Sequence, residues 1–180
     1  MNGSGLTPTG RLTAGVERRR PPLVEATPQT FSRYGQVVMP MEDGLPFGPD
    51  DAQLDLSRGT PRFYSMQLFN RGTVFRHITR HRQVTQCLGS MLGTTWKIGV
   101  AEADDHSDTP RLETIATFLV PGDRFIKLDR GTWHAGPYFA ADSALFYNLE
   151  LSDTNVTDHQ TCDLAETFGV EFEFQPAATA

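Results

Sequence analysis

An all-β chain, folded as an antiparallel jelly-roll barrel, is what this sequence predicts, on three observations. Short runs rich in β-branched and aromatic residues recur from residue 62 to residue 151, divided by glycine, proline or charge. Glycine (16) and proline (12) are scattered along the 180 residues, which supplies a turn between successive runs. Internal repeats and long helical periodicity are both missing from the sequence, which disfavours a parallel sheet with crossover helices.

The elements follow in order. Residues 1–22 are expected to form a flexible leader: Arg11, Arg18, Arg19 and Arg20 face a single acid, Glu17. An organelle transit peptide has the same composition, and the plain leader is the favoured reading. One domain is expected over residues 23–180, long enough for a proper core. Thr27–Gly35 reads as a short helix. Thr27 caps it, Pro28 takes the first helical position, Gly35 stops it, and Phe31 and Tyr34 share a packing face. Gln36–Met39 reads as a strand. Residues 40–61 hold three turn signals and read as a loop, either an active-site flap or a poorly ordered segment.

Strands are then expected over Arg62–Leu68, Thr73–Ile78, Val84–Leu88, Thr94–Ala101, Thr114–Val120, Arg124–Leu128 and Ala144–Leu151. Near the end, Val170, Phe172 and Phe174 alternate with Glu171 and Glu173, the pattern of a half-buried strand. Ala103–Arg111 is a polar hairpin loop.

Bulk properties exclude two classes of partner. A net charge of −6 opposes a phosphate backbone, so no nucleic-acid partner is expected. No apolar run approaches the roughly 20 residues of a membrane helix. Cys87 and Cys162, with no apolar signal sequence ahead of them, read as free thiols of a cytoplasmic protein.

Two clusters carry chemistry. The first contains Arg76, His77, Arg80, His81, Arg82 and Gln86. His77 and His81 would share an ion only on a helix; in an extended chain they lie roughly 13 Å apart. The stretch is therefore either a solvated basic strand end or a cationic wall for a carboxylate substrate. Gln86, inside an apolar strand, needs hydrogen-bond partners if buried, and suits the orientation of a substrate amide. The second cluster is Trp133 and His134. A turn at Pro121-Gly122 leads into a strand that ends at Gly131, and His134 follows three residues later. Lys97, His106 and His159 read as exposed. Glu102, Glu113 and Glu150 are only distant candidates for a carboxylate ligand.

The glycine, strand, glycine, histidine segment resembles the second half-motif of a cupin, with a spacing one residue longer than usual. More specifically, the chain resembles the ureidoglycolate lyase family. Thr30–Val38 is similar to its opening Phe-x-x-Tyr-Gly-x-Val-Ile block. Arg80-His81 with Thr85-Gln86 is similar to its Arg-His-x-x-x-Thr-Gln block, and Trp133-His134 with Pro137 to its Trp-His-x-Pro block. The resemblance implies a homodimeric cupin-type barrel that splits ureidoglycolate into glyoxylate and urea in purine breakdown, and a divalent metal, nickel or manganese. It implies His81, Gln86 and His134 as pocket residues, with His81 and His134 as candidate metal ligands. The roles then expected are His134 as base or metal ligand, His81 as its partner, and Gln86 on the ureido group. Arg80 or Arg82 would hold the carboxylate, and Trp133 would stand at the rim. The family's strand arginine is absent from Tyr64-Ser65-Met66-Gln67-Leu68, and His77 stands where a glutamate is expected. A non-catalytic ligand-binding cupin and a metal-dependent cupin oxygenase or isomerase are the alternatives.

Overall fold

The computed structural model describes residues 15–176. The first half of this span contains β1 (Glu17–Arg19), β2 (Leu23–Glu25), β3 (Gly35–Val38), β4 (Pro61–Phe69), β5 (Val74–Phe75), β6 (His77–Arg80) and β7 (Gln86–Ser90). The second half contains β8 (Trp96–Ala101), β9 (Ala116–Val120), β10 (Phe125–Leu128), β11 (Trp133–Tyr138), β12 (Ser143–Leu151), β13 (Gln160–Asp163) and β14 (Val170–Glu173). Two short helices, α1 (Thr154–Thr157) and α2 (Leu164–Phe168), fall between the last strands.

Two sheets face each other and form the barrel. One has the order β3-β10-β7-β12-β4, the other β13-β6-β11-β8-β9-β2. The interior between them is apolar because alternation aims one side of each strand inward. Trp96, Ile98 and Val100 of β8 and Phe118 and Val120 of β9 meet Leu88, Ile126, Leu128 and Phe146 from the opposite sheet. Phe31, Tyr34 and Phe118 close one end as an aromatic triad, with ring centroids 5.1–5.8 Å apart.

A second core lies on the outer face of the six-stranded sheet. There β14 and β5 join β1 in a small third sheet, and Phe75, Phe172 and Phe174 pack with Trp133, Ala135, Tyr138 and Leu164. The expected alternation of Val170, Phe172 and Phe174 is present: all three are buried. Helix α2 packs here too. Its cap Asp163 accepts from the N–H groups of Ala165 and Glu166, and Gly169 closes it in the left-handed conformation.

Three expectations change. Residues 15–22, assigned to the leader, include β1, which pairs in parallel with β14. Its arginines are the reason: Arg18 meets Glu171 at 2.7 Å and Arg20 meets Glu173 at 2.6 Å, so the basic run neutralises the acidic face of β14. Residues 1–14 of that leader lie outside the described residues. The helix expected at Thr27–Gly35 is a set of turns. Thr27 still caps, its Oγ1 accepting from the Thr30 N–H at 3.1 Å, but the chain enters β3 after about two turns. The loop at 40–60 is not a flap over the cavity. It crosses the outer face of the five-stranded sheet, where the Gln36 side chain accepts from the Gln53 N–H and Thr85 Oγ1 accepts from the Asp55 N–H, each at 2.8 Å.

Gly99 in β8 lets the third sheet dock. A Cβ there would lie 2.4 Å from the Phe75 ring, so the close approach of the aromatic depends on its absence. Gly99→Ala is expected to cost about 1–3 kcal/mol by overpacking. In calorimetry this would appear as a fall in Tm of roughly 2–4 °C per kcal/mol for a domain of this size. An unchanged Tm would mean that Phe75 repacks freely.

Candidate functional site

Strand parity decides which side chains reach the cavity. β6 and β11 are antiparallel neighbours, with His134 directly opposite Thr79. Residues facing the same way as Thr79 and His134 look into the barrel; Ile78, Arg80, Trp133 and Ala135 look outward into the second core. His81, the residue after β6, returns to the inner side. On the opposite sheet, β12 pairs with β7 so that Leu149 meets Cys87, which sets Glu150 opposite Gln86. The result is one cavity of about 470 Å³ in the barrel mouth. His81, Gln86, His134, Asn148, Glu150 and His159 line its polar part; Tyr64, Met66, Leu68 and Leu88 line its apolar part.

His81, Gln86 and His134, distant in sequence, are thus brought together. The rings of His81 and His134 stand 5.2 Å apart, and His159 stands 5.6 Å from His81. His81 Nδ1 lies 2.5 Å from the carbonyl oxygen of Asp158. A carbonyl only accepts, so Nδ1 carries the proton and Nε2 keeps a free lone pair. His134 Nδ1 makes a longer approach, 3.5 Å, to the carbonyl of Thr132. Removal from water lowers the pKa of both rings. That of His134 is pushed down to about 3, with the neighbouring His81 as the second cause. Both imidazoles are therefore neutral at pH 7.

Glu150 is almost fully buried, and every contact it makes is with a donor. Its Oε1 accepts from Tyr64 Oη at 3.1 Å and from Asn155 Nδ2 at 3.2 Å; its Oε2 accepts from Gln86 Nε2 at 3.2 Å. Arg62 lies 4.0 Å away and stacks on the Tyr64 ring at 3.7 Å. Sequence reasoning placed Glu150 only among distant candidates and His159 in an exposed loop. His159 is exposed, yet it borders the cavity because β13 follows it directly and pairs with β6.

Three expected substrate-binding residues do not line the cavity. Arg80 is fully buried on the outer side of β6. It donates to Gln160 Oε1 (2.9 Å), the Asp104 carbonyl (2.8 Å) and the Ser107 carbonyl (2.6 Å), and it lies 4.4 Å over the Trp133 ring. Trp133, expected at the rim, is fully buried in the second core for the same reason of parity. Arg82 is held by Asp108 and the Ser107 carbonyl, away from the cavity. Arg71 is the arginine that does line it, just beyond the end of β4, donating to the Pro137 carbonyl at 3.2 Å. His77 pairs with Asp163 at 3.2 Å at the surface, His106 is exposed, and Lys97 reaches the Gln175 carbonyl on the other side of the sheet.

The donor set falls short of what the expected divalent ion needs. A resident catalytic ion of this kind usually takes three protein ligands. His81 and His134 offer two free Nε2 lone pairs. The carboxylate that lines the cavity, Glu150, is occupied by three side-chain donors, and among the described residues no three His, Cys, Asp or Glu side chains are placed to share an ion. The residues present do not fit a resident nickel or manganese ion, and no chemical step is assigned to one.

Residues 49–171 match the family model described as ureidoglycolate lyase, a span that contains every cavity residue named above. The chain belongs to the ureidoglycolate lyase family. Among solved structures, the chain is similar to RmlC from Streptococcus suis, determined in complex with dTDP-D-xylose. That likeness has 9% identity and a TM-score of 0.40, and covers 52% of this chain and 44% of the RmlC chain. Comparison with curated proteins gives no match. The matched span takes in the strands that build the barrel mouth, from β4 to β13.

Arg80 is read here as a structural residue. Arg80→Ala would leave two carbonyls and Gln160 without their donor and open a cavity over Trp133. A loss of about 3 kcal/mol or more is expected in denaturant unfolding. If Arg80→Ala keeps its stability and loses only substrate affinity, this reading is wrong.

Proposed function

We propose that the barrel cavity binds ureidoglycolate and cleaves it to glyoxylate and urea. The observation that carries the reading is the pair of neutral imidazoles held 5.2 Å apart within a cavity whose residues fall inside the family match. The reaction moves one proton and breaks one bond. The substrate hydroxyl gives up its proton, its oxygen becomes the aldehyde carbonyl of glyoxylate, the carbon–nitrogen bond breaks, and the departing nitrogen takes a proton to leave as urea. His81 Nε2 is the acceptor. Its Nδ1–H bond to the Asp158 carbonyl stabilises the imidazolium, whereas His134 has only a longer approach to a carbonyl. The same Nε2–H then protonates the leaving nitrogen. His134 stays neutral and accepts a hydrogen bond that orients the hydroxyl. Arg71 holds the carboxylate, in place of the arginines expected on β6.

The test is urea release from ureidoglycolate by purified protein after exhaustive chelation. Turnover should survive chelation. His81→Ala and His134→Ala should each lower kcat by about a hundredfold or more. The acid limb of kcat/KM should lie below pH 6.5, because burial lowers the pKa of the base and the neutral form persists into weak acid. No urea release, or an acid limb above pH 6.5, would exclude this assignment.

We further infer a cytoplasmic homodimer. Cys87 and Cys162 are both buried free thiols, the state cysteines keep in a reducing compartment. Among the described residues, the nine-residue β4 ends its sheet with an unpaired edge. Its outward Phe63 and Phe69 are 70% and 66% exposed, a long apolar edge that monomers usually blunt. Sedimentation should give a dimer, and Phe63→Glu should shift it toward monomer. A wild-type monomer at micromolar concentration would refute the pairing.

A further inference from the structure

Among the described residues, Arg71 is the only Lys or Arg that lines the barrel cavity. It also differs from nearly all the other arginines. Of those described, Arg71 and Arg58 alone make no ion pair with an Asp or Glu. In a chain of net charge −6, a guanidinium kept clear of acids beside a cavity is available to an anion.

What holds Arg71 is neutral. Its Nη2 donates to the Pro137 carbonyl at 3.2 Å, and its guanidinium carbon lies 4.8 Å from the centre of the Tyr138 ring. That ring is itself fixed. The register of β11 against β8 slips between Ala135 and Tyr138, and Tyr138 lies in the second core. There it packs on Phe174 with centroids 4.9 Å apart and on Phe75 at 6.3 Å. Phe174 stands beyond the span matched by the family model, which ends at residue 171. The backbone of Arg71 is set independently, by the turn that follows β4. Asn70 Oδ1 accepts from the Gly72 N–H at 2.7 Å, and Gly72 takes the left-handed conformation. Asn70 also anchors this turn to the loop after β11. Its Nδ2 donates to the Ala140 carbonyl at 3.1 Å and its N–H to the Asp142 carbonyl at 2.9 Å.

We propose that Tyr138 and Asn70 are positioning residues that preset Arg71 as the receptor for the ligand's carboxylate. Tyr138 supports the plane of the guanidinium, and Asn70 fixes the turn that carries it. This rests on the reading of Arg71 as the carboxylate holder, and says why an arginine set on a turn can serve. A long side chain on a turn ordinarily loses rotamer freedom when it binds an anion. Stacked on a buried ring and tied to a carbonyl, Arg71 has lost that freedom before the ligand arrives. The support has to be aromatic, because a ring face attracts the cation and an aliphatic side chain does not. The third sheet thereby takes part in binding, since Phe174 backs the ring that backs the arginine.

The experiment is calorimetric titration with two stable probes. Hydantoate is ureidoglycolate without its hydroxyl, so it keeps the carboxylate and has no hydroxyl proton to give up; its primary amide is the neutral counterpart. Wild type should bind hydantoate about tenfold or more tightly than the amide, and Arg71→Ala should abolish that preference. Arg71→Lys keeps the charge but not the planar fork, and should weaken hydantoate severalfold. Tyr138→Leu should weaken hydantoate about two- to fivefold and leave the amide unchanged, whereas Tyr138→Phe keeps the ring and should keep the affinity. Asn70 is exposed, so Asn70→Ala spares the aromatic core. It should weaken hydantoate alone by a similar factor, and it carries the test if Tyr138→Leu fails to fold. Equal weakening of both probes would mean that only the shape of the cavity had changed. Unchanged hydantoate binding in Tyr138→Leu and Asn70→Ala would mean that Arg71 needs no support, and no preference in the wild type would remove the receptor itself. Any of these results overturns the proposal. Absence of urea release with the preference and its dependence on Asn70 and Tyr138 intact would instead count against the lyase assignment alone.

Discussion

A fully buried guanidinium organises the wall that carries the two imidazoles. Arg80 has no exposure, and a buried cation is tolerated only when its donors are met. Its partners come from three places: the 104–107 loop, β13 through Gln160, and the Trp133 face of β11. Satisfying Arg80 therefore draws the loop, the late strand and the central strand together around one residue of β6. The neighbour His81 is then on the inner side by parity. Its own carbonyl accepts from the Gly131 N–H at 2.6 Å, which ties the turn before β11 to the same point.

The barrel interior divides into two regions with different physics. One end is closed by Phe31, Tyr34, Phe118, Trp96 and Phe146, and packs like any hydrophobic core. At the other end, neutral histidines and a carboxylate fed by three donors replace that packing. Burial that would be costly for a lone charge is offset by the donors around Glu150. The imidazoles meet the same low-polarity surroundings by giving up their protons. A single environment thus sets a carboxyl group held by three donors beside two neutral imidazoles.

Much of the barrel was legible from residue pattern alone. The runs at 62–68, 94–101 and 144–151 correspond to β4, β8 and β12, because alternation and flanking turns are local properties. Gln86 was conspicuous as a polar residue inside an apolar run. Which way a side chain faces is another matter. Arg80, His81 and Arg82 are consecutive, and only the register of β6 against β11 and β13 tells which one enters the cavity. The same holds for Trp133 and His134. Glu150 and Asn148 were hidden because β12 reads as an ordinary strand until β7 is laid beside it. β1 escaped because its partner, β14, lies some 150 residues away in sequence and the match between them is ionic.

The hydrogen bond from His81 to Asp158 ends on a main-chain carbonyl, and that has an evolutionary reading. Every residue type supplies a carbonyl there, so the choice of which imidazole nitrogen carries hydrogen does not depend on the side chain at 158, although that carboxylate does hold the Arg82 and Gln83 N–H groups of the turn that follows. The network on Glu150 has no such insulation. Tyr64, Gln86, Asn148 and Asn155 all act through side chains, so each is open to single-nucleotide change. Descendants of this barrel would be expected to keep their proton chemistry for longer than their choice of ligand.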